Sequence, residues 1–229
     1  MTSLITAAIS RAQAFLLEPS LAADRATEPA VAPAATCQDA QVVVTATSRG
    51  SGATTVARAL AQALLVPGLR ASHIVSLRPD PVGRPPGGVA AWEVPPALHD
   101  PVEIAEYGST LARLARGSGS AAVVWDVRAD DVPRAAGAIE VCDVVVCVAD
   151  GAAEPALCSL VGDMLAERYG SRVLLVANRV RDDECWTGHC AVAVPDSRLA
   201  AMLIARGRAP GGAVGDALAR IAELVGERA

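Results

Sequence analysis

Residues 41–55 of this 229-residue chain read QVVVTATSRGSGATT, an apolar run followed by a glycine-containing loop. The segment 41–45 is typical of a strand buried on both faces, because its three consecutive valines leave no polar side for solvent. A glycine-containing loop follows, and a helix is predicted over 54–65. Glycines at a strand-to-helix turn let successive backbone N–H groups point inward, with the positive end of a helix behind them. The sequence therefore predicts an anion-binding loop.

Predicted strands and helices continue to alternate along the rest of the chain. Further strands are predicted over 72–77, 121–127, 143–148, 172–177 and 191–194. Helices are predicted over 102–116, 132–139, 154–169, 197–206 and 213–227. The segment 78–101 contains seven prolines and is predicted to be a long irregular connection. Continuous Val, Leu and Ile runs separated by helices indicate an α/β fold, with a three-layer, doubly wound and mostly parallel sheet.

The N-terminal 39 residues are predicted to be an appendage to one domain that spans residues 40–229. Apolar side chains recur at helical spacing over 3–17, which predicts a short amphipathic helix. Residues 18–39 are rich in Ala, Pro, Glu and Thr and are predicted to be a flexible linker. The helix either docks on the domain or binds a protein partner. Membrane attachment is disfavoured because Arg11 is the single basic residue of 3–17.

All 20 basic residues of the chain are arginine, and the formal net charge is −5. No lysine is therefore present to bind phosphate, to form a Schiff base or to act as a base. Scattered arginines in an acidic chain give no broad basic face, so nucleic-acid binding is not indicated, and no apolar run is long enough to span a membrane. Several of the six cysteines lie in apolar strand-like runs, as buried thiols do, which favours a reducing cytoplasm.

The glycine loop resembles that of the MinD/ParA family of deviant Walker A P-loop ATPases. Residues 48–55 (SRGSGATT) align with the family pattern Lys-Gly-Gly-x-Gly-Lys-Thr-Thr. They are most similar to CpaE/TadZ and septum-site-determining-like members, whose loop reads Gly-x-Gly-Ala-Thr-Thr. The resemblance extends over about residues 41–225. It implies a MinD/ParA-like P-loop NTPase domain at 40–229 that binds ATP or ADP with Mg²⁺ and forms a face-to-face homodimer.

Three further motifs follow the loop in the family's order. The strand 121–127 contains the match to the Walker A′ aspartate, so Asp126 is implied to help hold magnesium and is the candidate catalytic residue. Asn178 matches an adenine-reading asparagine, and 194–196 matches a Pro-Asp turn near the base. The cofactor-binding residues that the resemblance implies are Arg49, Gly50, Ser51, Gly52, Ala53, Thr54, Thr55, Asn178, Pro195 and Asp196. The implied magnesium residues are Thr54 and Asp126.

Several positions depart from the family pattern and argue against rapid hydrolysis. Ala53 replaces the Walker lysine, and Ser48 replaces the signature lysine that reaches the partner's phosphates. Arg49 is adjacent and is a candidate substitute, although its planar guanidinium differs from a compact ammonium. The second strand ends SLRP (76–79) where the family has Asp-x-Asp-Pro, and Asp80 is a candidate compensating carboxylate.

These observations leave three functional alternatives. The first is an adenine-nucleotide-binding positioning or regulatory factor in cell division, partitioning or pilus assembly, with weak or no hydrolysis. The second is a pseudo-ATPase scaffold that binds no nucleotide and works through protein contacts. The third, an active ATPase in which arginine replaces lysine, is the least favoured.

Other residue groups in the sequence have less specific patterns. Cys185, His189 and Cys190 share one loop and either bind a metal with an acidic neighbour from 182–184 or are incidental, which is the favoured interpretation. His73 and Trp92 are predicted to have packing or surface roles. The helix over 213–227 has an apolar stripe without a basic face, which favours core packing over membrane binding.

Overall fold

The computed structural model describes residues 40–65, 72–78, 85–117 and 122–229. The predicted helix over 3–17 and the predicted linker over 18–39 lie outside these residues. The described strands are β1 (Ala40–Ala46), β2 (Ser72–Ser76), β3 (Val89–Glu93), β4 (Ala122–Asp126), β5 (Val144–Asp150), β6 (Val173–Val180) and β7 (Val192–Pro195). The described α-helices are α1 (Ala53–Ala63), α2 (Pro101–Gly117), α3 (Ala136–Val141), α4 (Pro155–Tyr169), α5 (Arg198–Ala205) and α6 (Gly212–Gly226).

The seven strands form one sheet in the order β3-β2-β4-β1-β5-β6-β7. Every neighbouring pair is parallel. The first strand is central, and its three valines Val42, Val43 and Val44 have no exposed surface. Parallel strands need crossover connections, and helices on both faces provide most of them here. The predicted three-layer α/β fold is therefore confirmed.

The two faces of the sheet bury separate hydrophobic clusters. On one face Val42 and Val44 pack with α1, α5 and α6, and Ile221 of α6 is fully buried there. On the opposite face Val43 packs with α2 and α3 around Trp125 and Ile104. The core-packing prediction for the last helix is confirmed, because its apolar stripe lies inside the first cluster.

Strand β3 corrects the prediction of an irregular connection over 78–101. It pairs in parallel with β2, with Ser72 opposite Val89 and Ser76 opposite Glu93. Two of its five residues are alanines, which are weak strand formers, and it lies at the edge of the sheet, where burial on both faces is not required. The segment therefore lacks the continuous apolar run by which the other strands were predicted.

Helix α3 also differs from its prediction over 132–139. A 3₁₀ turn at Ala129–Asp131 follows β4, and the α-helix begins only at Ala136. Pro133 lies in the intervening turn, where its carbonyl accepts a hydrogen bond from the N–H of Ala136. The remaining described helices begin and end within two residues of the predicted bounds.

His73 and Trp92 connect β2 and β3 on the α2 face of the sheet. The indole N–H of Trp92 donates to Nδ1 of His73 at 2.8 Å, and the rings stack with centroids 6.1 Å apart. His73 is 2% exposed, and burial lowers its pKa to about 4. Both side chains therefore have a packing role, and the imidazole is neutral at ordinary pH.

The carboxyl ends of the strands lie along one edge of the sheet, which is where ligands bind in open α/β sheets. The glycine loop follows β1 at this edge, between the ends of β4 and β5. None of the helices in the described ranges is long and apolar enough to cross a membrane.

Candidate functional site

The glycine loop joins β1 to α1 in a conformation that requires glycine. Gly50 and Gly52 have φ angles of 82° and 88°, which L side chains rarely adopt. Gly52 also caps the N-terminus of α1, and a Cβ there would collide with the amide of Asn178. The loop is thus a tight turn whose backbone leads directly into the positive end of a helix.

Asn178 holds this loop from the carboxyl end of β6. Its Nδ2 donates to the carbonyl oxygen of Ser51 at 2.9 Å, and the residue is only 7% exposed. The resemblance assigned this amide to adenine. In the structure Asn178 both holds the loop and lines the cavity beside it.

Thr54 and Asp126 meet behind the loop. Thr54 is in the first turn of α1, and its hydroxyl donates to Oδ1 of Asp126 at 3.1 Å. Asp126 is the last residue of β4 and lies opposite Val44, so the parallel register of the central strands brings the two side chains together. A hydroxyl and a nearly buried carboxylate are hard oxygen donors of the kind that Mg²⁺ prefers.

Arg49 and Arg78 are paired with consecutive aspartates. The guanidinium of Arg49 forms two contacts with Asp130, at 2.7 and 3.0 Å, and is 82% exposed. This hydrogen bond is the main cause of a lowered pKa at Asp130. Arg78 contacts Oδ1 of Asp131 at 2.6 Å, and Asp131 is buried. Arg49 and Arg78 are therefore both held by carboxylates from the turn after β4.

Arg179 reaches the loop from the other side and was not singled out by sequence reasoning. It has a φ of 64°, and the β6–β7 register shifts between Asn178 and Val180 at a bulge. Its Nη2 donates to the carbonyl oxygen of Gly50 and, at 2.6 Å, to Oδ2 of Asp150. Regular alternation would direct neighbouring side chains to opposite faces, and a bulge re-aims one of them. A strand sequence carries no local signal for that change.

A cavity of about 170 Å³ lies beside the loop. Its polar lining comprises Thr55, Asn178, Arg179 and Ser197, next to Gly52. The remaining lining is apolar and is formed by residues of α1, β7, α5 and α6: Val56, Ala59, Val194, Pro195, Ala200, Ala201, Ile204, Val214 and Leu218. A mostly apolar cleft with a few convergent polar groups has the kind of lining that is typical of ligand sites.

A second, larger cavity of about 540 Å³ shares Arg179 with the first. Charged side chains line it, and among them Arg181 donates to Asp196 at 3.1 Å. Pro195 thus lies at the first cavity and Asp196 at the second, so the predicted Pro-Asp turn borders both.

The cysteine loop next to this second cavity forms internal hydrogen bonds. Cys185 donates to Oδ2 of Asp182 at 3.3 Å, and this bond is the main cause of a raised pKa at Cys185. Cys190 donates to the carbonyl oxygen of Trp186 at 3.7 Å. Within the described residues, no group of three or more His, Cys, Asp and Glu side chains is arranged to hold a metal ion.

The residues at the loop fit a magnesium-bound nucleotide in three respects. Gly50 and Gly52 form a left-handed turn at the positive end of α1, and Thr54 with Asp126 supplies a suitable donor set for the metal. The hydroxyl of Ser51 is buried and has no hydrogen-bond partner among the described residues. Against these, the lysine position is Ala53, which is buried at 7% exposure and carries no charge.

No protein-family model and no curated protein sequence matches the chain. Several solved structures do match the chain. The MinD cell division ATPase of Pyrococcus furiosus has a TM-score of 0.62 at 17% identity, over 84% of this chain and 100% of that one. The chain has the MinD/ParA fold. A ParA family ATPase from Chlorobium tepidum TLS gives 0.58 at 14% identity, over 80% and 98%.

A third match is the septum site-determining protein MinD of Pyrococcus horikoshii OT3, solved as a complex with Mg-ADP. Its TM-score is 0.54 at 17% identity, over 81% of this chain and 96% of that one. The match spans nearly the whole length of each of these three structures. At identities this low, the likeness concerns the fold alone.

Proposed function

We propose that this chain binds MgADP or MgATP at the glycine loop and holds it with slow or no hydrolysis. In this proposal it acts as a cytoplasmic positioning or regulatory factor of the kind that serves cell division, partitioning or pilus assembly. The observation that carries the proposal is the Thr54–Asp126 hydrogen bond at the N-terminus of α1, directly behind two glycines with left-handed φ angles.

Each part of a nucleotide has a corresponding part of the site. The backbone N–H groups of 50–55, at the positive end of α1, face the phosphates. Thr54 and Asp126 hold the magnesium ion, which offsets phosphate charge. The apolar wall of the smaller cavity takes the base, near Asn178 and Pro195. The Mg-ADP complex of the Pyrococcus horikoshii MinD, which has the same fold, supports this assignment.

The groups that accelerate hydrolysis are missing or paired. Ala53 supplies no cation, and β2 ends at Ser76 directly opposite Asp126 where the family has an aspartate. In the turn after β4, Asp130 and Asp131 are engaged by Arg49 and Arg78, and the candidate compensating carboxylate Asp80 lies outside the described residues. Phosphoryl transfer depends almost entirely on positioning and on charge stabilisation. A site without these charges is better suited to holding a nucleotide than to cleaving it.

The proposal includes two kinds of protein contact. The resemblance implies a face-to-face homodimer across the nucleotide, and Arg49 is well exposed at that edge of the sheet. The segment 3–17, which lies outside the described residues, is the second candidate contact for a protein partner.

Isothermal titration calorimetry of the full chain with MgADP and MgATP tests the proposal. Asp126→Asn should weaken binding of both nucleotides by about tenfold or more, because it removes a charged magnesium partner. Asp163→Asn, an equivalent change on the exposed surface of α4, is the matched control and should bind like the native chain. The proposal would be contradicted if the native chain bound neither MgADP nor MgATP.

A pseudo-ATPase scaffold is the second candidate function, and one observation favours it. The loop carbonyls of Ser51 and Gly50 are already occupied by Asn178 and Arg179 from the same chain, so the loop is held without a ligand. Under this alternative the native chain binds no nucleotide, and binding to its protein partner is lost when residues 1–39 are deleted. Under the first proposal, the same deletion leaves MgADP affinity unchanged.

A further inference from the structure

We infer that Arg179 supplies the phosphate-binding cation that the loop lacks at Ala53. The inference rests on the proposed function and adds a residue outside the family's loop motif. Its basis is the geometry of one side chain, which leaves the regular path of β6 and ends on the glycine loop.

The backbone of Arg179 is in a conformation that favours glycine. Its φ is 64°, and no other non-glycine residue in the described ranges has a positive φ. A left-handed conformation costs conformational energy in an L residue with a long side chain, and such positions cluster at ligand sites. Gly151 is packed against the carbonyl of Arg179, where a Cβ would clash, so the surrounding chain enforces the bulge.

Two of the three nitrogens of the Arg179 guanidinium donate no hydrogen bond to the described residues. Both of its hydrogen bonds within the described structure, to Gly50 and to Asp150, come from Nη2. The other nitrogens, Nε and Nη1, therefore have no partner among the described residues, and the side chain is 44% exposed. Each of these two nitrogens keeps an N–H that can donate one charge-assisted hydrogen bond to a phosphate oxygen. Gly50 and Asp150 both hold Nη2 and thereby fix the position of the guanidinium.

Arg179 also borders the cavities beside the glycine loop. It lines the smaller cavity together with Gly52 and Thr55, which are loop and first-turn residues, and it lines the larger cavity on the other side. Arg179, Arg49 and Arg78 are each paired with an aspartate, but Arg49 and Arg78 line neither of these cavities. Among the described arginines outside the loop, Arg179 is the one that hydrogen-bonds to the loop backbone.

Calorimetry with MgADP and with adenosine, on the full chain, tests this inference. Arg179→Ala should weaken MgADP binding by about 10- to 100-fold, the range for a lost charge-assisted hydrogen bond, and leave adenosine affinity unchanged. Arg179→Lys keeps the charge and should recover part of the loss. Arg168→Ala removes an exposed arginine on α4 and is the control for net charge.

A pair of variants separates phosphate binding from a structural role. Arg179→Gly and Arg179→Ala lose the same guanidinium, but glycine tolerates the positive φ, so the glycine variant should unfold at the higher temperature. The two should nevertheless bind MgADP equally weakly. The inference would be overturned if the glycine variant, with its higher unfolding temperature, also bound MgADP more tightly than the alanine variant.

The remaining outcomes distinguish the two proposals. A native chain that binds no MgADP removes the proposed function and this inference with it. A native chain that binds MgADP, with Arg179→Ala binding it equally well, overturns the inference alone. Tighter binding by Arg179→Ala would overturn it as well, and would show that the arginine blocks the loop.

Discussion

The hydroxyl of Thr54 lies 3.1 Å from Oδ1 of Asp126, so the first turn of α1 and the end of β4 share one polar contact at the carboxyl edge of the sheet. This contact predicts a magnesium-dependent effect of the Thr54 side chain. Thr54→Val should abolish the difference in ADP affinity between buffer with Mg²⁺ and buffer with EDTA, because the metal loses its hydroxyl ligand.

Thr54→Ser is the matched control for that experiment, since it keeps the hydroxyl and removes only the methyl group. It should retain the magnesium dependence of the native chain in the same titrations. Equal magnesium dependence in the valine and serine variants would show that the hydroxyl takes no part in metal binding.

Gly52→Ala should destabilise the fold more than Gly50→Ala. Both residues have a left-handed φ, which costs about 1–2 kcal/mol for alanine. Only at Gly52 does the new Cβ strike Asn178, whose buried amide then loses its bond to Ser51, adding about 1–3 kcal/mol. The free energy of unfolding in urea measures both. Equal losses in the two variants would contradict the close packing of Asn178 on the loop.

His73 predicts a loss of stability as the pH falls from about 6.5 to about 4. Its folded-state pKa is lowered by burial, so in this window the unfolded chain binds a proton that the folded chain does not. The stabilisation is complete above the unfolded pKa, and its full loss is on the order of 3 kcal/mol. Urea denaturation across this range should show the native chain losing that much more stability than His73→Gln.

His99→Gln, in an exposed position, is the control and should follow the native pH profile. The comparison between variants removes the contribution of carboxylates, which titrate at the lower end of the same range. Parallel profiles for the native chain and His73→Gln would mean that folding does not lower the pKa of His73.

Phosphate release from MgATP should be slow, at least about a hundredfold below the ordinary turnover range of about 1–10³ s⁻¹. The lysine position is Ala53, and Arg49 is engaged by Asp130. A steady-state phosphate assay measures this, with Arg49→Ala expected to leave the low rate unchanged. Ordinary turnover that Arg49→Ala abolished would favour the active ATPase with arginine in the role of lysine.

Most of the sheet could be predicted because its strands are buried on both faces. Runs such as the valines of β1 and β5 have to be apolar in any parallel sheet with helices on both sides, and their order along the chain follows directly from the sequence. The edge strand β3 escaped prediction because only one neighbour pairs with it, and weak strand formers suffice there.

The candidate site was predictable only in part, for a different physical reason. The glycines and threonines of the loop could be predicted because their conformational preferences are intrinsic to those residue types. The partnership of Arg179 with Gly50 depends on a bulge in β6, and that of Arg49 with Asp130 depends on a turn after another strand. Such contacts join residues that are distant in sequence, so no local sequence pattern predicts them.

Ala40 begins β1 at the amino edge of the sheet, and the glycine loop follows the other end of the same strand. Seven residues of strand separate the two points, a distance of about 23 Å at about 3.3 Å per residue. Residue 40, where the described part of the chain begins, thus lies on the far side of the domain from the loop. A small ligand bound at the glycine loop therefore leaves the start of β1 uncovered.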